Sequence, residues 1–176
     1  NGDGAASSPS TYLNWQNITN EGGTMSITNT DFRYGGYAHG YDIVCSGYGW
    51  GAGCNAQHTY VAQLVNRGGF LTVNGSSFDH AQYYTHIAQQ FGTTTVTNSE
   101  FLNAYSGVQV DGGSMTLRGN NFHDLANSGV TASAGCLRIG NNTFARMSTA
   151  VAMYNTEFVN ETGNSGNPGI MKEKFE

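Results

Sequence analysis

The chain repeats one short pattern at a nearly fixed interval. A pair of small residues, usually glycine, precedes alternating apolar and polar residues, then small polar residues and a phenylalanine, as in "GGSMTLRGNNF" from Gly112. Five phenylalanines close such copies: Phe32, Phe78, Phe101, Phe122 and Phe144. They are separated by 46, 23, 21 and 22 residues, and the first interval equals two units of 23. A period of about 22 residues predicts a solenoid, in which each copy forms one coil that stacks on the next.

Within each copy, two short strands flank one bend. Apolar residues alternate with Ser, Thr or Arg in the first strand, and this period of two predicts a strand with one buried face. Asn and Gly then alternate in one column, whose members are Asn29, Gly75, Asn98, Gly119 and Asn141. Both residue types tolerate the left-handed backbone region, so the column predicts a fixed bend. A second strand follows the phenylalanine, as in "SGVQVD" from Ser106.

The composition narrows the class of protein. With 176 residues the chain is long enough for one sizeable domain, and only 11% of it is charged. That is too little charge for helical repeats, whose exposed faces favour Glu, Lys and Arg. A net charge of −5 argues against a nucleic-acid partner. No apolar run approaches the roughly 20 residues that cross a bilayer, so we expect no membrane insertion.

The coil pattern of about residues 22–155 resembles the right-handed parallel β-helix superfamily. Pectate lyases, phage tailspikes and many bacterial surface proteins belong to that superfamily. The resemblance implies an all-β, right-handed parallel β-helix solenoid, here with about six coils. It does not imply one activity, because the same scaffold carries lyases, hydrolases, epimerases, adhesins and inert spacers.

The departures from the repeat suggest a domain plan. Residues 1–159 are predicted to form a single β-helix domain, in which residues 1–21 make an N-terminal cap region and residues 33–67 an irregular insertion. The stretch "TYLNWQNI" from Thr11 supplies apolar side chains to cover the first coil. Residues 160–176 lack periodicity and are predicted to be a linker or tail. We expect flanking domains in a longer chain.

Two cysteines lie in the Gly-, Tyr- and Trp-rich insertion. Cys45 and Cys54 bracket eight residues, and a disulfide between them is predicted for an oxidising compartment. A two-cysteine metal site is the alternative, but it lacks a second pair of ligands. Cys136 is predicted to be a free thiol. This interpretation favours a secreted or cell-surface protein.

The sequence gives no basis for naming a catalytic residue, a metal ligand or a cofactor. Lyases of the resembling fold use acidic residues to bind calcium, and inverting glycosidases need two carboxylates. The outward face of the second strand offers one carboxylate, Asp111, without a partner in a neighbouring coil. Asp79-His80 and His123-Asp124 follow phenylalanines at equivalent turns, and stacking should bring these pairs onto one side, two rungs apart.

The same outward face is the predicted ligand site. Alignment of the copies places four side chains in one outward column: Arg67, Gln90, Asp111 and Ser133. A neighbouring column contains Ala88, Gln109, Thr131 and Ala152, with His86 one position further out. Together with two aromatic residues of the insertion, the candidate ligand-binding set is Tyr48, Trp50, Arg67, His86, Gln90, Gln109 and Asp111.

Amides and hydroxyls can satisfy the hydroxyl groups of a sugar, and aromatic rings can stack on its faces. The sequence therefore favours an extracellular module that recognises a polysaccharide or cell-surface glycan. Two alternatives stay open at this point. One is a structural spacer, adhesin or filament module without a ligand, and the other is a fragment of a polysaccharide lyase or glycoside hydrolase.

Overall fold

The computed structural model describes residues 15, 17–36, 42–46, 53–57, 62–81, 84–167 and 170–172. Within these ranges the chain is an all-β parallel solenoid of about five turns, which confirms the predicted fold class. None of the described segments forms a helix long and apolar enough to span a membrane.

The turns of the solenoid build three ladders of parallel strands. The first contains residues 24–28 of β1 (Ile18–Thr28), residues 70–74 of β5 (Ala62–Asn74), β8 (Thr93–Thr97), β10 (Ser114–Arg118), β12 (Cys136–Gly140) and β15 (Glu157–Asn160). Six strands stacked in this way enclose about five turns, where the sequence predicted about six coils.

The second ladder is shorter in each turn and contains the phenylalanines. It consists of β2 (Asp31–Arg33), β6 (Ser77–Asp79), the beginnings of β9 (Glu100–Val110) and β11 (Asn121–Ala132), β13 (Thr143–Ala145) and β16 (Ser165–Asn167).

The third ladder forms the predicted second strand of each coil. It consists of the beginnings of β1 and β5, β7 (Thr85–Gln89), the ends of β9 and β11, β14 (Thr149–Met153) and β17 (Ile170–Lys172). A separate antiparallel pair, β3 (Asp42–Ser46) with β4 (Gly53–Gln57), lies within the predicted insertion.

The phenylalanines stack along the axis of the solenoid, as predicted. Successive ring centroids, from Phe32 to Phe144, are 4.6, 4.9, 4.7 and 5.1 Å apart, and every ring is at most 5% exposed. Trp15 lies over the first ring at 6.0 Å, and its Nε1 donates a hydrogen bond to the carbonyl of Arg33. Trp15 thus lies at one end of the aromatic column.

The bend column has the predicted backbone conformation. Asn29, Asn98 and Asn141 have φ angles of 49°, 49° and 54°, and the glycines at positions 75 and 119 have 60° and 65°. These values lie in the left-handed region, where Asn and Gly are better tolerated than other residues.

One residue after each bend lies a polar column, which is buried from Ser76 to Asn142 and half-buried at its two ends. The repeat pattern of the sequence did not predict this column. Its members are Thr30, Ser76, Ser99, Asn120, Asn142 and Asn164. From each rung to the next, the backbone N–H donates to the side-chain oxygen of the following member, at 2.9–3.2 Å. The column therefore satisfies backbone donors that the tight bends leave unpaired.

The boundaries of the regular coils differ from those inferred from the sequence. Residues 18–21 already belong to β1, and β5 begins at Ala62, inside the predicted insertion of residues 33–67. Residues 160–176 were predicted to be a linker or tail, but β16 and β17 extend two ladders there. Strands of a solenoid pair through their backbones, so a stretch without apolar periodicity can still continue the stack.

The insertion contains both predicted disulfide partners. Cys45 and Cys54 face each other in the register of β3 and β4, an arrangement in which the backbones come close. Their side chains lie outside the described residues, and the disulfide stays a prediction. Cys136, in β12, is a free thiol, as predicted.

Candidate functional site

The register of the third ladder agrees with the alignment of copies, but Ala88, which was predicted to face outward, is fully buried. Val65, Ala88, Gln109, Thr131 and Ala152 are register partners in successive turns. Backbone hydrogen bonds beyond the strand ends place Gln90, Asp111, Ser133 and Tyr154 in a second column. The predicted residues Gln90, Gln109 and Asp111 therefore lie on one face of the solenoid.

A groove of about 400 Å³ runs along this face. Its polar lining consists of Ser106, Gln109, Asn127, Ser128, Thr131 and Thr149. Ala152 and the rings of Tyr84 and Tyr154 complete it. Ser106 and Ser128 have their hydroxyl oxygens 2.9 Å apart, and Ser128 is 2.8 Å from the hydroxyl of Thr131. The floor of the groove is therefore a connected row of hydroxyl groups, which can both donate and accept hydrogen bonds.

Asp111 lies beside this groove in a fixed orientation. Gln109 Nε2 donates to both of its carboxylate oxygens, each at 3.0 Å, and Ser133 Oγ donates to Oδ1 at 2.8 Å. Gln109 also lines the groove. The predicted pair of Gln109 and Asp111 is thus one hydrogen-bonded unit.

Tyr84 lines the groove at the side opposite to Asp111, and its ring pairs with that of Tyr105 in the next coil. The rings of Tyr84 and Tyr105 have centroids 4.9 Å apart, and they are 50% and 43% exposed. Ser106 N donates to the carbonyl of Tyr84 at 2.8 Å, so the two tyrosines occupy the same position in neighbouring coils.

This aromatic pair is absent from the site predicted from the sequence. A signal was present, because Tyr84-Thr85 and Tyr105-Ser106 are separated by 21 residues, one repeat. Tyr48 and Trp50, the aromatic residues that were predicted instead, lie outside the described residues.

The outward position predicted for His86 is wrong. Its side chain is fully buried, with Nδ1 2.8 Å from Gln63 Oε1 and Nε2 2.9 Å from the carbonyl oxygen of Leu102. The ring centroid is 6.0 Å from those of Phe78 and Phe101. Burial lowers the pKa of His86 to about 3, so the ring is neutral at physiological pH.

The reason is a local break in the alternation of the strand. In the next coil the position of His86 is occupied by Gly107, between the register pairs Thr85–Ser106 and Ile87–Val108. A Cβ added to Gly107 would lie 2.8 Å from Cδ1 of Phe122, which shows that this column faces the phenylalanine rings. Because the prediction assumed strict alternation from Ala88, it placed the column of His86 on the outer face of the strand.

Arg67 lies on the predicted outer surface but is engaged within the chain. Its Nη1 is 3.0 Å from Glu21 Oε1, and both side chains are partly exposed. Gln90 is half-buried. Arg67 therefore presents a charge that Glu21 already balances.

A cluster of ionisable groups lies at the turn that follows the second ladder. His123 is 14% exposed and lies between two carboxylates, with Nε2 2.9 Å from Glu100 Oε1 and Nδ1 2.7 Å from Asp124 Oδ2. Arg146 Nη2 donates to Asp124 Oδ2 at 2.6 Å. Partial burial by itself lowers the pKa of His123, but the bonds to Asp124 and Glu100 outweigh it and raise the pKa. The hydrogen bond from Arg146 holds the pKa of Asp124 well below its usual range.

The two predicted Asp–His turns do stack on one side. Asp79 pairs with Leu102, which pairs with His123, so the turns are two rungs apart. His80 Nδ1 is 2.6 Å from Asp79 Oδ1, and Asn103 Nδ2 donates to the same oxygen at 2.8 Å. In the described part of the chain, no group of three or more His, Cys, Asp or Glu side chains is arranged to hold a metal ion.

Comparison of the chain with protein-family models, with curated proteins and with solved structures finds no match in any of the three.

Proposed function

We propose that this chain is a glycan-recognising module of a secreted or cell-surface protein. The observation that carries the proposal is the exposed pair of Tyr84 and Tyr105 beside a groove lined with hydroxyl and amide groups. Binding sites for small molecules and polymers combine aromatic surfaces with a few polar groups that fix orientation. A sugar presents both kinds of surface, because its ring faces are apolar and its edges carry hydroxyl groups.

The repeat of the groove favours a polymer over a single sugar. Register partners in successive turns, such as Gln109 and Thr131, are separated by one strand spacing, about 4.8 Å. Hydroxyl groups recur at the same step in three successive coils, at Ser106, Ser128 and Thr149. A polysaccharide, which repeats its own hydroxyl groups along its length, can engage several rungs at once.

Affinity electrophoresis through gels that contain soluble polysaccharides tests this function. Wild-type protein should be retarded by at least one polysaccharide, and the double variant Tyr84→Ala, Tyr105→Ala should migrate freely. Phe70→Ala is the matched control, because Phe70 is 62% exposed on the first ladder, away from the groove. Equal retardation of the double variant and the wild type would remove the tyrosine pair from the site.

A structural module without a ligand is the second candidate, and the continuous ladders favour it. Parallel pairing, stacked phenylalanines and the buried polar column make a straight, regular core. Wild-type protein that no polysaccharide retards would give this candidate first place.

A further inference from the structure

We infer that the groove takes a polysaccharide with amino groups, and that the carboxylate of Asp111 binds one of its ammonium groups. This inference rests on the proposed function and names the chemical class of its ligand.

Asp111 lacks a cationic partner, unlike most of the other carboxylates whose side chains the structure describes. Glu161 binds Arg118 at 2.6 Å, Asp124 binds Arg146, and Glu21 binds Arg67 at 3.0 Å. Within the described residues no Lys, Arg or His nitrogen lies within 4.0 Å of Asp111. Its negative charge is therefore open to a ligand.

The carboxylate is also held ready to accept further hydrogen bonds. Both of its oxygens accept from the amide of Gln109, and Oδ1 also accepts from Ser133. A carboxylate has about four acceptor positions, so Oδ2 keeps capacity for another donor. Its neighbours fix its orientation in advance, which reduces the entropy lost when a ligand binds.

An aromatic ring lies in the same outward column. Tyr154 N donates to the carbonyl of Ala132, as Ser133 N does to that of Val110, so Tyr154 is two rungs from Asp111. Two rungs correspond to roughly 9.6 Å. Aromatic faces attract cations as well as sugar rings. An amino sugar in the groove can therefore approach Tyr154 and the carboxylate of Asp111 on this side, and the ring of Tyr84 on the other.

Charge argues against an acidic polymer such as a polyuronate. The chain carries a net charge of −5, and the cation in the column of Asp111, Arg67, is bound to Glu21. A uronate that lay along the groove would be repelled by the negative charge of Asp111. Arg67 could not compensate for this repulsion, because it is already paired with Glu21.

The test uses four hexasaccharides with different charges: hexaglucosamine, its fully N-acetylated form, cellohexaose and hexagalacturonate. Isothermal titration at pH 6 and low ionic strength should show hexaglucosamine binding about fivefold more tightly than cellohexaose, and hexagalacturonate binding more weakly than both. Asp111→Asn should abolish the advantage of hexaglucosamine and leave cellohexaose binding within twofold.

Asp31→Asn is the matched control for general attraction by a negative protein. Asp31 is exposed in the first turn and lies 3.6 Å from Arg33, so this variant changes the net charge equally without touching the groove. It should keep the advantage of hexaglucosamine.

Two results would overturn the inference while leaving glycan recognition intact: tighter binding of hexagalacturonate or of cellohexaose, or an advantage of hexaglucosamine that survives in Asp111→Asn. A wild-type protein that binds none of the four sugars and no polysaccharide in the gels would overturn the proposed function itself.

Discussion

The ring of Phe101 lies nearly parallel to the ring of Phe122, with centroids 4.7 Å apart and planes 8° from each other. This distance equals the spacing of hydrogen-bonded strands, so the stacking of the rings follows directly from the pairing of β9 with β11. The aromatic column and the backbone ladders therefore stabilise one another along the whole solenoid.

Phe122→Ala should lower the free energy of unfolding by about 3–5 kcal/mol. The ring is fully buried between two others, and neighbours fixed by strand pairing cannot move in to fill the cavity. Chemical denaturation measures the loss. Phe91→Ala is the control, because Phe91 is 66% exposed, and it should change stability by less than about 0.5 kcal/mol. Similar losses for the two variants would contradict the stacked core.

Asn142→Ala should cost about 2–3 kcal/mol, although it removes only a small side chain. Asn142 Oδ1 accepts from the backbone N and the Nδ2 of Asn120, and its Nδ2 donates to the carbonyl of Leu117. All of these bonds are buried, so the variant leaves polar groups without partners. Asn121 follows Asn120, the equivalent of Asn142 in the preceding coil, and is exposed, so Asn121→Ala should cost less than about 0.5 kcal/mol. Thermal unfolding of both variants decides whether the buried column contributes as described.

His86 should make the protein less stable as the pH falls below about 6.5. Its pKa is about 3 when folded and about 6.5 when unfolded, so between these values the unfolded chain binds the additional proton. The stabilisation is fully present above the unfolded pKa and is lost toward pH 3. Between pH 7 and pH 5 the loss from this group is about 2 kcal/mol.

Two measurements check the behaviour of His86. In NMR titrations its ring signals should stay constant from pH 8 to pH 5, while those of His123 should titrate above the ordinary value of a histidine. The variant His86→Asn should show a weaker dependence of unfolding free energy on pH than wild type. A titration of His86 between pH 6 and pH 7 would refute its burial.

Cys45 and Cys54 should form a disulfide in protein isolated without reductant. They face each other in the β3–β4 pair, and Cys136 is free. Mass spectrometry after alkylation of the unfolded, non-reduced protein should find one modified cysteine, Cys136, and a mass two hydrogens lower than that of the reduced chain. Three modified cysteines would exclude the bond.

The period of the sequence predicted the solenoid because the same residue types recur at equivalent positions of each coil. Phe78, Phe101 and Phe122 recur at one spacing, and Asn98 and Asn141 recur where the backbone must enter the left-handed region. These features depend on a residue and its near neighbours, so they can be predicted from a linear pattern. The column of Gln109 and Thr131 followed from the same alignment.

The candidate site was predicted only in part, because several of its features depend on contacts between coils. Gln109 and Asp111 lie on the predicted face, whereas His86 was assigned to the wrong face, because its column faces the phenylalanine rings. The rings of Tyr84 and Tyr105 meet only when two coils stack, and the tyrosines are not part of the apolar repeat from which the coils were predicted.

The alternation of Asn and Gly in the bend column has one cause that is local and another that depends on the tertiary structure. The sequence by itself determined that this column bends, because both residue types accept positive φ. Only the stacking explains why they alternate: a Cβ added to Gly75 would lie 2.6 Å from Asn29 Oδ1, and one added to Gly119 would lie 2.9 Å from Asn98 Oδ1. Each asparagine side chain fills the space above the glycine of the next coil. The backbone conformation is local and can be predicted from one residue, but the steric requirement joins residues of neighbouring coils and exists only once they are stacked.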